Sequence, residues 1–212
     1  MRDQRIKNIG EFILLASLFE SRAHWLVSLA PHNPVEIPFY REWREFARSI
    51  SAPVLFEAGH KIEFPLLMQS SDRIITTSRQ EGFGMSYLEP WVFDKPVVGR
   101  KIPYLIKDFL DEGMEFPFLY DHLLIDDQEG QMDFSELTDT RQRAAIRNLL
   151  SDRKARQKFI QQNDLESALF GSVPAGVIQK NRSIIKESYS LEGYGKRLCT
   201  IYEELLGGAS AT

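Results

Sequence analysis

With 212 residues, 43% of them hydrophobic and 26% charged, the chain is long enough to bury a core as one large domain or two small ones, which excludes intrinsic disorder over most of its length. A net charge of −4, with acidic and basic residues interleaved, leaves no field that would draw in nucleic acid, so no nucleic-acid partner is expected. No apolar run approaches the ~18 residues of a membrane span, and the first residues lead into an amphipathic segment rather than the apolar stretch of a secretory signal, so a cytoplasmic protein with no transmembrane segment is expected.

In chain order, Ile9, Phe12, Ile13, Ala16 and Phe19 recur at helical spacing and predict an amphipathic helix over 8–20. Residues 24–30 form a short apolar strand, stopped by Pro31 and Pro34, which cannot continue a ladder. A second helix over 39–50 carries Tyr40, Trp43, Phe46 and Ala47 on one face, and a second strand follows at 53–56. Pro65, tolerated in a first helical turn, opens a short helix through Met68; a third strand covers 72–77, a helix starts at Met85, and a fourth strand covers 96–99. A fifth strand is expected at 122–125. Beyond it the chain turns polar and helical over 138–169, with the charged run 151–156 as a solvated face. It closes with an amphipathic helix on Leu191, Tyr194, Leu198, Ile201 and Leu205, and the lone Cys199, which has no disulfide partner, reads as packing within that stripe. Strands alternating with helices at this spacing predict right-handed βαβ units and an α/β fold with a doubly wound, parallel, Rossmann-like sheet. With no repeat and no linker, residues 1–212 read as a single nucleotide-binding domain with a helical C-terminal extension over about 133–207.

The chemistry concentrates in residues 78–89 (SRQEGFGMSYLE), directly after a strand and opening a helix, where open α/β sheets bind ligands. Gly82 and Gly84 let the backbone turn sharply beside a ligand, and the free amides around Met85 suit phosphate. Glu89 stands ~6 Å up the helix from those amides, at ~1.5 Å per residue, about where a nucleotide ribose would lie. Glu81 sits in the loop on the other side. Two carboxylates straddling an anion site fit a nucleotide-diphosphate sugar. The bare spacing also fits a helix-entry carboxylate followed by a solvated helix residue. No His, Cys or carboxylate cluster has metal-ligand spacing, and Asp126-Asp127 is not a D-x-D motif, so neither metal nor cofactor is expected.

Glu81-Gly82-Phe83-Gly84 followed by Glu89 resembles the E-x7-E signature of retaining GT-B glycosyltransferases (group 1, family 4 type), and residues 95–98 (KPVV) resemble the strand that follows it there. Arg2 and Lys7, five apart ahead of a helix, are similar to the R-x4-K pair of that family, and Gly59 falls where its nucleotide-base loop lies. The resemblance spans residue 2 to about 99, with a weaker likeness in the closing helix. It implies the C-terminal, donor-binding half of a metal-independent hexosyltransferase. In it Arg2 and Lys7 neutralise the leaving diphosphate, Glu81 orients the donor sugar, Glu89 holds the ribose, and Gly59, Gly82, Phe83, Gly84 and Met85 line the donor.

The sequence departs from the family's pattern in two places. Pro90 follows Glu89 inside the helix, and Arg100-Lys101-Ile102-Pro103-Tyr104 stands where a second glycine-rich turn is usual, so the donor sugar is not implied. Such an enzyme needs an N-terminal acceptor domain or partner chain. In the doubly wound order the first strand is central, yet residues 1–6 (MRDQRI) are too polar to form it. An open slot flanked by the strands near Trp25 and Ile74 is therefore expected. A non-catalytic nucleotide- or partner-binding subunit, or a truncated remnant, is the alternative; a sugar-nucleotide epimerase ranks lower, since its extra acid/base residues are missing.

Overall fold

The computed structural model describes residues 7–127 and 130–208, so Arg2 lies outside the described residues. Helix α1 (Ile9–Leu18) is apolar almost all round and is buried from Gly10 to Leu18, as a helix without a polar face must be. Strand β1 (Trp25–Leu26), helix α2 (Ile37–Ser49) and strand β2 (Val54–Leu55) follow, with β1 and β2 pairing in parallel, Trp25 opposite Val54. Helix α2 buries Tyr40, Trp43, Phe46 and Ala47, the face expected of it.

After α3 (Phe64–Ser70), strand β3 (Ile74–Thr76), helix α4 (Met85–Val92), strand β4 (Val97–Arg100), helix α5 (Pro103–Asp111) and strand β5 (Phe118–Tyr120) build a second parallel sheet in the order β3-β4-β5. Its register sets Thr76 beside Gly99 and Gly99 beside Leu119. Gly99 has φ +130°, and a Cβ there would lie 1.9 Å from the Thr76 carbonyl oxygen, so the approach of β4 to β3 requires glycine. Alternation along β4 sends Val98 into a core with α1 and α2 and Val97 into a separate core with α4 and α5. Helices thus cover both faces of the parallel sheet, an arrangement compatible with a Rossmann-like fold.

Strands β6 (Leu124–Asp127) and β7 (Gly130–Asp133) pair antiparallel as a hairpin. This corrects the fifth strand expected at 122–125. The sheet's next strand is the aromatic run 118–120, and the later apolar residues Leu123 and Ile125 pack into the first core from the hairpin. Helices α6 (Asp139–Ser151), α7 (Arg153–Gln162) and α8 (Leu165–Phe170) add Ile146, Phe159 and Leu165 to that core, while α9 (Val177–Ser188) adds Val177 and Ile185 to the other.

The last helix, α10 (Leu191–Gly208), forms as expected, but Leu191, Tyr194, Ile201, Tyr202 and Leu205 are exposed along it. Cys199 is exposed too, which corrects its reading as a packed residue: beyond its start, where it meets α9, the helix leaves that stripe facing solvent. Among the described residues no helix is long and apolar enough to cross a membrane.

Candidate functional site

The C-terminal end of β3 meets the start of α1 and the loop into α4 at the edge of a groove that β1 also lines. Thr77, buried just past β3, donates its hydroxyl to the carbonyls of Lys7 (3.0 Å) and Asn8 (3.2 Å), fixing the segment that enters α1. Asn8 holds a left-handed turn (φ 40°), and its amide donates to Glu11 Oε2 at 2.7 Å. With its backbone held there, Lys7 extends its ammonium to within 2.6 Å of Glu81 Oε1. Two side chains 74 positions apart in sequence are thereby brought together.

The Glu81 side chain is only 13% exposed, whereas the Lys7 side chain is 59% exposed. Ser86 in the first turn of α4 donates its hydroxyl to the same carboxylate oxygen at 3.2 Å. The backbone of Glu81 is clasped by Tyr104, whose hydroxyl donates to its carbonyl (2.8 Å) and accepts from its N–H (3.1 Å). Gly84 enters α4 with φ +74°; a Cβ there would press within 2.9 Å of Leu105 and Phe109, so a glycine is required where the loop passes over α5. The first-turn amides of Met85 and Ser86, which a helix leaves without internal acceptors, open beside Glu81. Chemically the site offers a cation, an oriented carboxylate, a hydroxyl and a helix N-terminus within a few residues of one another.

Of the other expected site residues, Gly82 and Phe83 lie on the open rim, Phe83 82% exposed, and Met85 is exposed beside them. Glu89 is half-buried in α4, one turn beyond Met85, and does not line the groove that Lys7, Glu81 and Ser86 border. Gly59 sits in a single helical turn after β2 and donates its N–H to the Ser28 carbonyl at 2.7 Å, joining the ends of β1 and β2. Arg2 is outside the described residues. Among the described residues no cluster of three His, Cys, Asp or Glu side chains could hold a metal ion.

Two supports of the site have no motif of their own in the sequence. Tyr104 carries no sequence signal beyond following Pro103, the residue that starts α5. The second is a buried ion network. Arg100, 5% exposed, donates to both carboxylate oxygens of Glu11 (3.2 and 2.6 Å) and of Asp133 (2.7 and 2.8 Å). Tyr120 donates to Glu11 as well, at 2.8 Å. Burial pushes the Glu11 carboxyl up and outweighs the pull of Arg100. Burial would also raise Asp133, but the Arg100 hydrogen bonds and charge hold it below the ordinary carboxylate range. The signal was present: Glu11 is an acid in an otherwise apolar helix, and such a residue is paired when buried.

Over 126 residues the chain is 30% identical to the mannosylglucosyl-3-phosphoglycerate synthase of Petrotoga mobilis (strain DSM 10674 / SJ95), a match that takes in 58% of this chain. The match spans about a quarter (24%) of that protein's length. No protein-family profile and no solved structure matches the chain.

Proposed function

We infer that the chain is the donor side of a glycosyltransferase and that the Lys7–Glu81 edge binds a nucleotide-diphosphate sugar. The observation that carries this reading is the 2.6 Å approach of Lys7 to Glu81 beside the first turn of α4. The likeness to a synthase named for a mannosylglucosyl product supports the same class. In this reading the diphosphate replaces Glu81 as the partner of Lys7, with the amides of Met85 and Ser86 taking further oxygens. Glu81, still fixed through its backbone by Tyr104, turns its carboxylate to the sugar hydroxyls. Arg2 joins Lys7 on the phosphates.

Transfer is retaining and needs no metal ion. The bond from the anomeric carbon to the diphosphate oxygen breaks, the acceptor hydroxyl oxygen bonds to that carbon on the same face and passes its proton to the departing diphosphate oxygen, and the charge left on the diphosphate is met by cations and helix amides already in place. The acceptor is held by another domain or chain.

Calorimetric titration with a panel of UDP- and GDP-hexoses tests this. One of them binds, and Lys7→Ala and Glu81→Ala each weaken it roughly 10-fold or more, as expected for charge-assisted contacts worth about 1.5–3 kcal/mol, while the thermal midpoint stays put. Equal binding by both variants and the parent chain, or no binding by any, refutes the assignment.

A further inference from the structure

Strands β1 and β3 are parallel members of two separate sheets, and among the described residues no ladder joins them. The space between them is part of a cavity of about 2020 Å³ that residues 25–30 line on one side and residues 72–78 on the other, and that extends along α1, α2 and α3. That volume is well beyond the ~300–1,000 Å³ of small-molecule pockets.

Both faces of the groove are covered. Phe12 of α1 lines it and belongs to the first core. Leu67 and Met68 of α3 line it too, and α3 sits on the side of the other core, where Phe64 meets Phe93 edge-on at the end of α4. A segment lying in the groove would therefore be buried above and below, the environment of a central parallel strand.

The backbone is set for pairing. Val27 N–H donates to Leu55 and Ile74 N–H to Pro96, so alternation along a parallel ladder turns the peptide groups of Leu26 and Ile75 toward the groove. The Trp25 indole nitrogen, in the wall, is buried with no hydrogen-bond partner among the described residues.

We propose that this groove is the seat of a β-strand, parallel to β1 and β3, supplied by polypeptide that leads into residue 1 of this chain, and that it unites the two sheets in the order β2-β1-strand-β3-β4-β5. Direction and connection both follow from Lys7. A strand parallel to its neighbours leaves the groove at the C-terminal edge, and Lys7 is held there by Thr77. The chain then enters α1 and returns through β1, completing a strand–helix–strand unit of the usual hand. The strand itself is a Val/Ile/Leu run of four to six residues.

The test compares the 212-residue chain with two versions extended before residue 1, one by Val-Ile-Val-Leu-Val and one by Ser-Asn-Ser-Pro-Ser. The apolar extension raises the thermal midpoint by roughly 5 °C or more over the polar one and slows hydrogen exchange at the Leu26 and Ile75 amides at least about tenfold. If the unextended chain does not unfold cooperatively, the same comparison reads whether the apolar extension alone produces a cooperative transition. Equal midpoints and equal exchange for the two extensions overturn the proposal. So does slow exchange at Leu26 and Ile75 in the unextended chain, whether as a monomer or as a dimer in which a second copy fills the groove.

Discussion

Arg100 is the residue on which most of the interior electrostatics turn. Its guanidinium, drawn out of water, binds two carboxylates at once, and burial of the cation is outweighed by Glu11 and Asp133, which keep it charged. Replacing it with methionine leaves two buried acids without a counter-charge, so Arg100→Met costs about 3–5 kcal/mol in denaturant unfolding. The acids respond oppositely to pH. Asp133 titrates below its ordinary 3.8 when folded, so its contribution is present above that value and lost as pH falls through the lowered one. Glu11 titrates above its ordinary 4.5, so its contribution declines as pH rises between the two. Urea midpoints measured from pH ~5 to ~2 fall less steeply in Asp133→Asn than in the parent chain, although the variant starts from a lower value; an unchanged slope would place the acid sensitivity elsewhere.

Among the elements, the β3–β4 pair depends on a backbone contact that no side chain can imitate. Gly99→Ala forces a Cβ into the Thr76 carbonyl at a φ that alanine avoids, and a loss of about 2–4 kcal/mol is expected in chemical unfolding. These elements were legible in the sequence because each is short, apolar and bounded by a turn or a proline: the strands expected at 72–77 and 96–99 form at 74–76 and 97–100, and the helix starts at Met85 as expected. The loop between them was legible for the same reason, since glutamate and glycines between a strand and a helix leave few geometries, and it brought Lys7 and Glu81 together. The pattern failed where apolar residues did two jobs. Phe118 and Ile125 both reach the first core, but one does so from the sheet and the other from a hairpin, and local periodicity does not distinguish them. Helix α9 falls inside the helical extension expected over 133–207, but no stripe marks it individually, because it buries little more than Val177, Asn181 and Ile185. Tyr104 and Arg100 act through partners distant in sequence, so no local pattern carries them.

For the molecule as a whole, two cores on opposite faces of one small sheet divide the stabilisation, and α10 adds little to either. Its apolar residues face outward and it meets α9 at its start, so a chain ending at Ser190 loses less than about 2 °C in thermal midpoint. A larger loss would show that α10 is packed in solution. The ion network has the opposite character, because its members come from far apart: Glu11 reaches Arg100 across 89 positions and Tyr120 across 109. Bringing those groups together requires closing long loops, an entropic cost that a folding chain meets late. The network should then be nearly unformed at the folding barrier, and in stopped-flow experiments Arg100→Met speeds unfolding while leaving the refolding rate almost untouched. The salt cluster would act as a latch on the native state's lifetime rather than as a guide to reaching it.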